Sequence, residues 1–184
     1  MSFAEAMQEA SEVVEQLESG GGDATKIQEL LSTDAGARGF FVVFLTGTSK
    51  IADEPPTVLV DILRNASNAA IDVVTKNLVM AAATAAVHHR NKDEKKEAGS
   101  RRVTVRVTKL IRQVNSDLLW QKLSEMRATL EGKSKAYEAF LDRVRYDGEQ
   151  KKAALTAIDQ VIAERSSCST NAVVNERTSS RSKA

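Results

Sequence analysis

Cysteine is nearly absent: Cys168 stands alone in 184 residues. A single thiol excludes an intramolecular disulfide and fits a reducing compartment. Histidine occurs only as the pair His88-His89. That leaves few ligands for a structural metal site, which usually takes four His or Cys side chains. The two prolines and the abundance of Ala, Leu, Glu, Lys and Gln favour helix over sheet. Aromatic residues make up only 4 % of the chain, so base-stacking platforms are not expected. The first residues are acidic and amphipathic and have no basic segment followed by an apolar one. Neither a secretory nor a transit peptide is expected, and the expected location is the cytoplasm.

Apolar residues are plentiful, at 42 %, enough for a real core. The run Leu78–Val87, Leu-Val-Met-Ala-Ala-Ala-Thr-Ala-Ala-Val, has no charge and one hydroxyl, Thr84. A helix that is apolar all round is a buried one. The run therefore predicts a central helix over Asn65–Arg90, enclosed by neighbours that small alanines let come close. Asp72 and Lys76 are spaced as a helix-surface pair, so this helix should start wet and end dry. The same two charges and Asn77 cut the apolar run below the ~20 residues of a membrane span.

The rest reads as further helices. Ser2 is placed to cap residues 3–18, Gly20-Gly21-Gly22 to end that helix as a flexible joint, and Asp23 to cap the next. Asp34 and Gly47 bracket a helix containing Phe40-Phe41-Val42-Val43-Phe44-Leu45, expected to pack against Leu78–Val87. Thr48–Glu54 reads as a loop, and Pro55-Pro56 as a helix start. Asn91–Ser100 reads as an exposed turn. Arg102–Thr108 alternates like a strand, but a lone strand has no sheet to join. As a helix it puts Val103, Val107, Leu110, Ile111 and Val114 on one face, with a break expected at Asn115-Ser116-Asp117. Ser134 should cap a following helix, and Asp147 with Gln150 has the spacing of a capping box. The predicted fold is all-α: a single bundle of about six helices over residues 1–165, with a disordered tail from Ser166 to Ala184.

Charge is unevenly spread. Residues 1–24 carry six acidic residues and no Lys or Arg, whereas residues 88–112 carry nine Lys/Arg and three Asp/Glu. The glutamates Glu5, Glu9, Glu12 and Glu15 could make the first helix a hinged docking arm. Arg102, Arg106, Lys109 and Arg112 lie along one side of a helix, a stripe that suits a polyanion such as nucleic acid. The plainer alternative is a solvated face, or one that meets the acidic first helix within a subunit or across a dimer. His88, His89 and Asp93 could begin a metal site if the helix continued, although histidines near a helix C-terminus more simply bond its last carbonyls.

Gly20–Lys26 misses the phosphate-loop pattern, because Lys26 does not follow a glycine. No nucleophile set or paired-carboxylate motif stands out, and no cofactor is implied. The sequence thus points to a non-enzymatic interaction or regulatory protein, self-associating or bound to a protein partner, with no membrane partner. Polyanion binding is the alternative, and a metal or small-ligand site at His88/His89 a more distant one.

Overall fold

The computed structural model describes residues 2–179, with side chains as far as Arg165. Among the described residues it contains nine helices and no strand. They are α1 (Phe3–Glu18), α2 (Ala24–Leu31), α3 (Asp34–Thr46), α4 (Thr57–Arg64) and α5 (Asn68–Arg90). After these come α6 (Glu94–Val114), α7 (Asp117–Leu130), α8 (Glu138–Val144) and α9 (Gly148–Ser179).

Local hydrogen bonds decide where several of them begin. Ser2 and Glu5 exchange bonds in a complete capping box, and Asp147 and Gln150 do the same before α9. Asp23 caps α2 as expected, while Thr33 rather than Asp34 caps α3. The break between α6 and α7 falls at the expected place: Asn115 is left-handed, and Ser116 accepts from Leu119 N. Asn115 also accepts from Trp120 Nε1 at 2.7 Å, tying the corner to a large core side chain.

Two expected boundaries move. The turn after α5 is shorter than Asn91–Ser100, because Asp93 caps α6 and Glu94 and Glu97 suit the positive end of a helix dipole. Ser134 does not cap a helix; its Oγ accepts from Ala136 N, and α8 starts only after Tyr137. Among the described residues the helices number nine rather than about six. The expected tail, Ser166–Ala184, lies beyond the described side chains; the backbone of α9 is helical through Ser179, and residues 180–184 fall outside the described residues.

One continuous apolar core runs from Ala6 on α1 to Val161 on α9. At its centre α5 packs on α6 and α9, and also on α3 and α7. The enclosure of α5 is partial and reversed from expectation. Ala70, Ile71, Val73 and Val74 near its start are buried, whereas Met80 is 44 % exposed and Thr84 lies on the surface. Alanine explains the reversal: it favours helix whether covered or not, so an Ala-rich run marks a helix without saying which sides are covered. By length and composition α5 is the one described helix that could cross a membrane, and 56 % of its most apolar window is buried by other helices.

The chief partner of α3 is α1, not the alanine run. The two helices cross where Gly39 meets Ala6, so closely that a Cβ on Gly39 would lie 2.8 Å from the Cβ of Ala6. Phe40 stacks on Phe44 at 5.4 Å and meets Phe41 edge-on at 5.3 Å, all three fully buried. Thus α1 is a core helix rather than an arm swinging on three glycines: Ala6, Ala10, Val13, Val14 and Leu17 are buried.

Candidate functional site

The basic stripe is the first place to look, and its central member points inward. Arg106 is 2 % exposed. Its Nη1 donates to the carbonyls of Leu45 (2.9 Å) and Gly47 (2.8 Å), and its Nη2 donates to Ser49 O (2.6 Å). Its Nε donates to Asp53 at 2.6 Å. The guanidinium therefore fastens the α3–α4 loop onto α6. That hydrogen bond holds the Asp53 carboxyl below its ordinary range. Position 106 already lies at helical spacing from Val103 and Leu110, so an arginine within an apolar stripe was the missed signal.

The other three stripe residues are engaged too. Lys109 pairs with Glu54, Arg112 pairs with Glu164, and Arg102 reaches Thr46 O at 3.5 Å. The partners are the end of α3, the α3–α4 loop and α9, not the acidic first helix. A polyanion surface centred on Arg106 is thereby corrected: the residue is buried and its donors are spent. Among the described residues, no ion pair involves Glu5, Glu9, Glu12 or Glu15; Glu5 is held by Ser2, whose backbone and side-chain hydrogen bonds lower its carboxyl.

The candidate metal trio does not assemble. The α5 helix stops at Arg90, so His89 and Asp93 do not share a helix face. His89 Nδ1 lies 3.1 Å from Glu97, while Asp93 caps α6 and pairs with Lys96 at 2.9 Å. His88 is half-buried on α5. Among the described residues, no group of three His, Cys, Asp or Glu side chains converges.

Two hollows lie on different sides of α5. The first is a groove of about 620 Å³ between α5, α6 and α9. Ala82, Ala85 and Ala86 floor it, Val105 and Thr104 stand on one bank, and Ala153, Thr156 and Ala157 on the other. Val105 is 66 % exposed, an apolar knob beside a row of small residues. Arg101, Lys152, His89 and Glu149 form the rim. Arg101 pairs with Glu97 at 2.6 Å, and Glu149 lies 3.1 Å from Arg90, so the rim carries both signs.

The second is a smaller cleft of about 210 Å³ where α1, α3, α5 and α8 meet. Phe3, Val42, Val73, Met80 and Phe140 give it an apolar lining; Arg38, Lys76 and Arg143 bring cations, and Asp34 one carboxylate. Lys76 departs from its expected pairing with Asp72. Tyr137 Oη donates to Asp72 at 2.6 Å, and Lys122 stands 3.7 Å from the same oxygen. Lys76 turns instead over the rings of Tyr137 and Phe140, at 5.8 and 6.0 Å. A wider depression of about 760 Å³ between α2 and α4 contains one charge, Asp61, already paired with Arg64.

A family model described as Uncharacterised conserved protein UCP020893 matches residues 2–161. The chain belongs to this family. The matched span begins at the cap of α1 and ends at Val161, which is 1 % exposed, so it covers the packed fold and both hollows. No curated protein and no solved structure matches the chain.

Proposed function

We propose that this family member is a non-enzymatic interaction protein that self-associates through the alanine-floored groove of α5, α6 and α9. The observation that carries this reading is Val105, an apolar side chain 66 % exposed beside a row of half-buried and buried alanines. Each copy then offers both a knob and a slot. A two-fold pair can set Val105 of each copy onto Ala82 and Ala86 of the other, as a self-complementary contact requires. Rim charges of both signs, Arg101 and Lys152 against Glu149, support the same arrangement.

The acidic face of α1 has a different part in this reading. Its glutamates lie opposite the apolar stripe and repel their own copies, directing association to the groove. Deleting residues 1–18 would strip the core, so the test belongs at the groove. Sedimentation of the wild-type chain should show a dimer that dissociates on dilution. Val105→Glu should be monomeric with unchanged helix content. A wild-type monomer at about 1 mM, or a Val105→Glu dimer of wild-type strength, defeats the reading.

A further inference from the structure

The cleft between α1, α3, α5 and α8 poses a question the interaction reading leaves unanswered. Lys76 is half-buried, and no carboxylate pairs with it among the described residues. The helical neighbour that should neutralise it, Asp72, is occupied by Tyr137 and Lys122. A desolvated cation usually acquires an anion, and contact with aromatic faces is a weaker substitute. Arg143, though exposed, faces the same ring: its Cζ stands 6.0 Å from the centre of Phe140, as Lys76 Nζ does, and it too has no described carboxylate partner.

The apolar side of the cleft is equally unsatisfied. Of the three large hydrophobic side chains exposed among the described residues, two line it, Phe3 at 41 % and Met80 at 44 %. Phe3 is also covered by a cation, with Arg38 Cζ 5.3 Å from its ring, but Arg38 is already paired with Asp34. Two cations without a described carboxylate partner, one half-buried and one exposed, thus share one aromatic ring beside exposed apolar side chains. The space equals that of roughly seven waters.

We propose that the cleft binds a small organic anion with an apolar body, its head group between Lys76 and Arg143 and its body against Phe3 and Met80. The size admits a single aromatic ring or a short alkyl chain, not a nucleotide or a full-length lipid. The site lies on the far side of α5 from the groove, so it does not rest on self-association.

Calorimetric titration of the full chain with phenylacetate, octanoate and phenyl phosphate tests this, with neutral phenylacetamide as the control. At least one anion should bind, and the amide at least tenfold more weakly (~1.4 kcal/mol). Lys76→Gln should weaken the anion about tenfold while leaving the melting temperature close to wild type. Arg143 is exposed, so Arg143→Gln provides a second variant if Lys76→Gln fails to fold, and should act in the same direction. The Val105→Glu chain should bind the anion as wild type does, separating this site from the groove. No binding of any anion at about 10 mM, equal binding of the amide, or indifference to these substitutions overturns the proposal.

Discussion

A single buried guanidinium holds two distant parts of the chain together. Arg106 uses its fixed fork of donors on one carbonyl at the end of α3, two loop carbonyls and Asp53, a geometry lysine cannot reproduce. Arg106→Lys should therefore destabilise by about 2 kcal/mol despite keeping the charge, and Arg106→Gln by more. Urea unfolding measures the loss, and proteolysis within 47–54 should quicken in both variants. Tyr146 presents the opposite case. Its hydroxyl is buried and finds no protein partner among the described residues, and burial pushes its pKa up to about 12. Tyr146→Phe removes an unsatisfied donor and should be neutral or stabilising by up to about 1 kcal/mol, read as an equal or higher melting temperature.

Helices that cross without room fix the next level. The run Ala37-Arg38-Gly39-Phe40-Phe41 is distinctive in sequence and gains its reason from the α1–α3 crossing. Gly39→Ala should cost about 1–3 kcal/mol, because the new methyl meets Ala6 side-chain and backbone atoms within 3.0 Å. Gly36→Ala should cost more, since its Cβ would fall 1.9 Å from Leu30 O. Thermal melts of the two variants should rank them in that order.

Such crossings also mark how far the sequence can be read. The caps at Ser2, Asp23 and Asp147 and the break at Asn115 were legible because each depends on groups within a few residues. The inward turn of Arg106 was not, because its acceptors lie more than fifty residues away. The same holds for the cleft, whose residues come from four helices. The fate of Lys76 depended on Tyr137 and Lys122 taking Asp72, which no spacing along α5 reveals.

For the molecule as a whole, surface carboxylates set the acid limit. Asp53, Asp93, Glu97 and Asp147 are all held below their ordinary values. The leading causes are hydrogen bonds from Arg106 to Asp53, from Lys96 to Asp93, from Arg101 to Glu97 and from the Gln150 backbone to Asp147. With folded values below unfolded ones, their contribution is present above the unfolded pKa and is lost as pH falls through the folded values. The phenols of Tyr137 and Tyr146 are raised, chiefly by burial, so the folded state resists their ionisation: they add no pH dependence well below pH 10, and stability is lost as pH rises past the unfolded value toward the folded ones. The melting temperature should therefore be level near neutrality, fall below about pH 4 and fall again above about pH 10. Tyr146→Phe should soften the alkaline decline; an unchanged alkaline slope in that variant would contradict the assignment.

The Arg106 fastening has a temporal side. During synthesis residues 45–53 leave the ribosome well before their donor does, so the nascent α3–α4 segment emerges with its carbonyls facing water. Closure of that segment then waits on translation of α6. Chains stalled before and after residue 106 clears the exit tunnel should differ in cleavage between 47 and 54, and equal cleavage would show that the segment closes by itself.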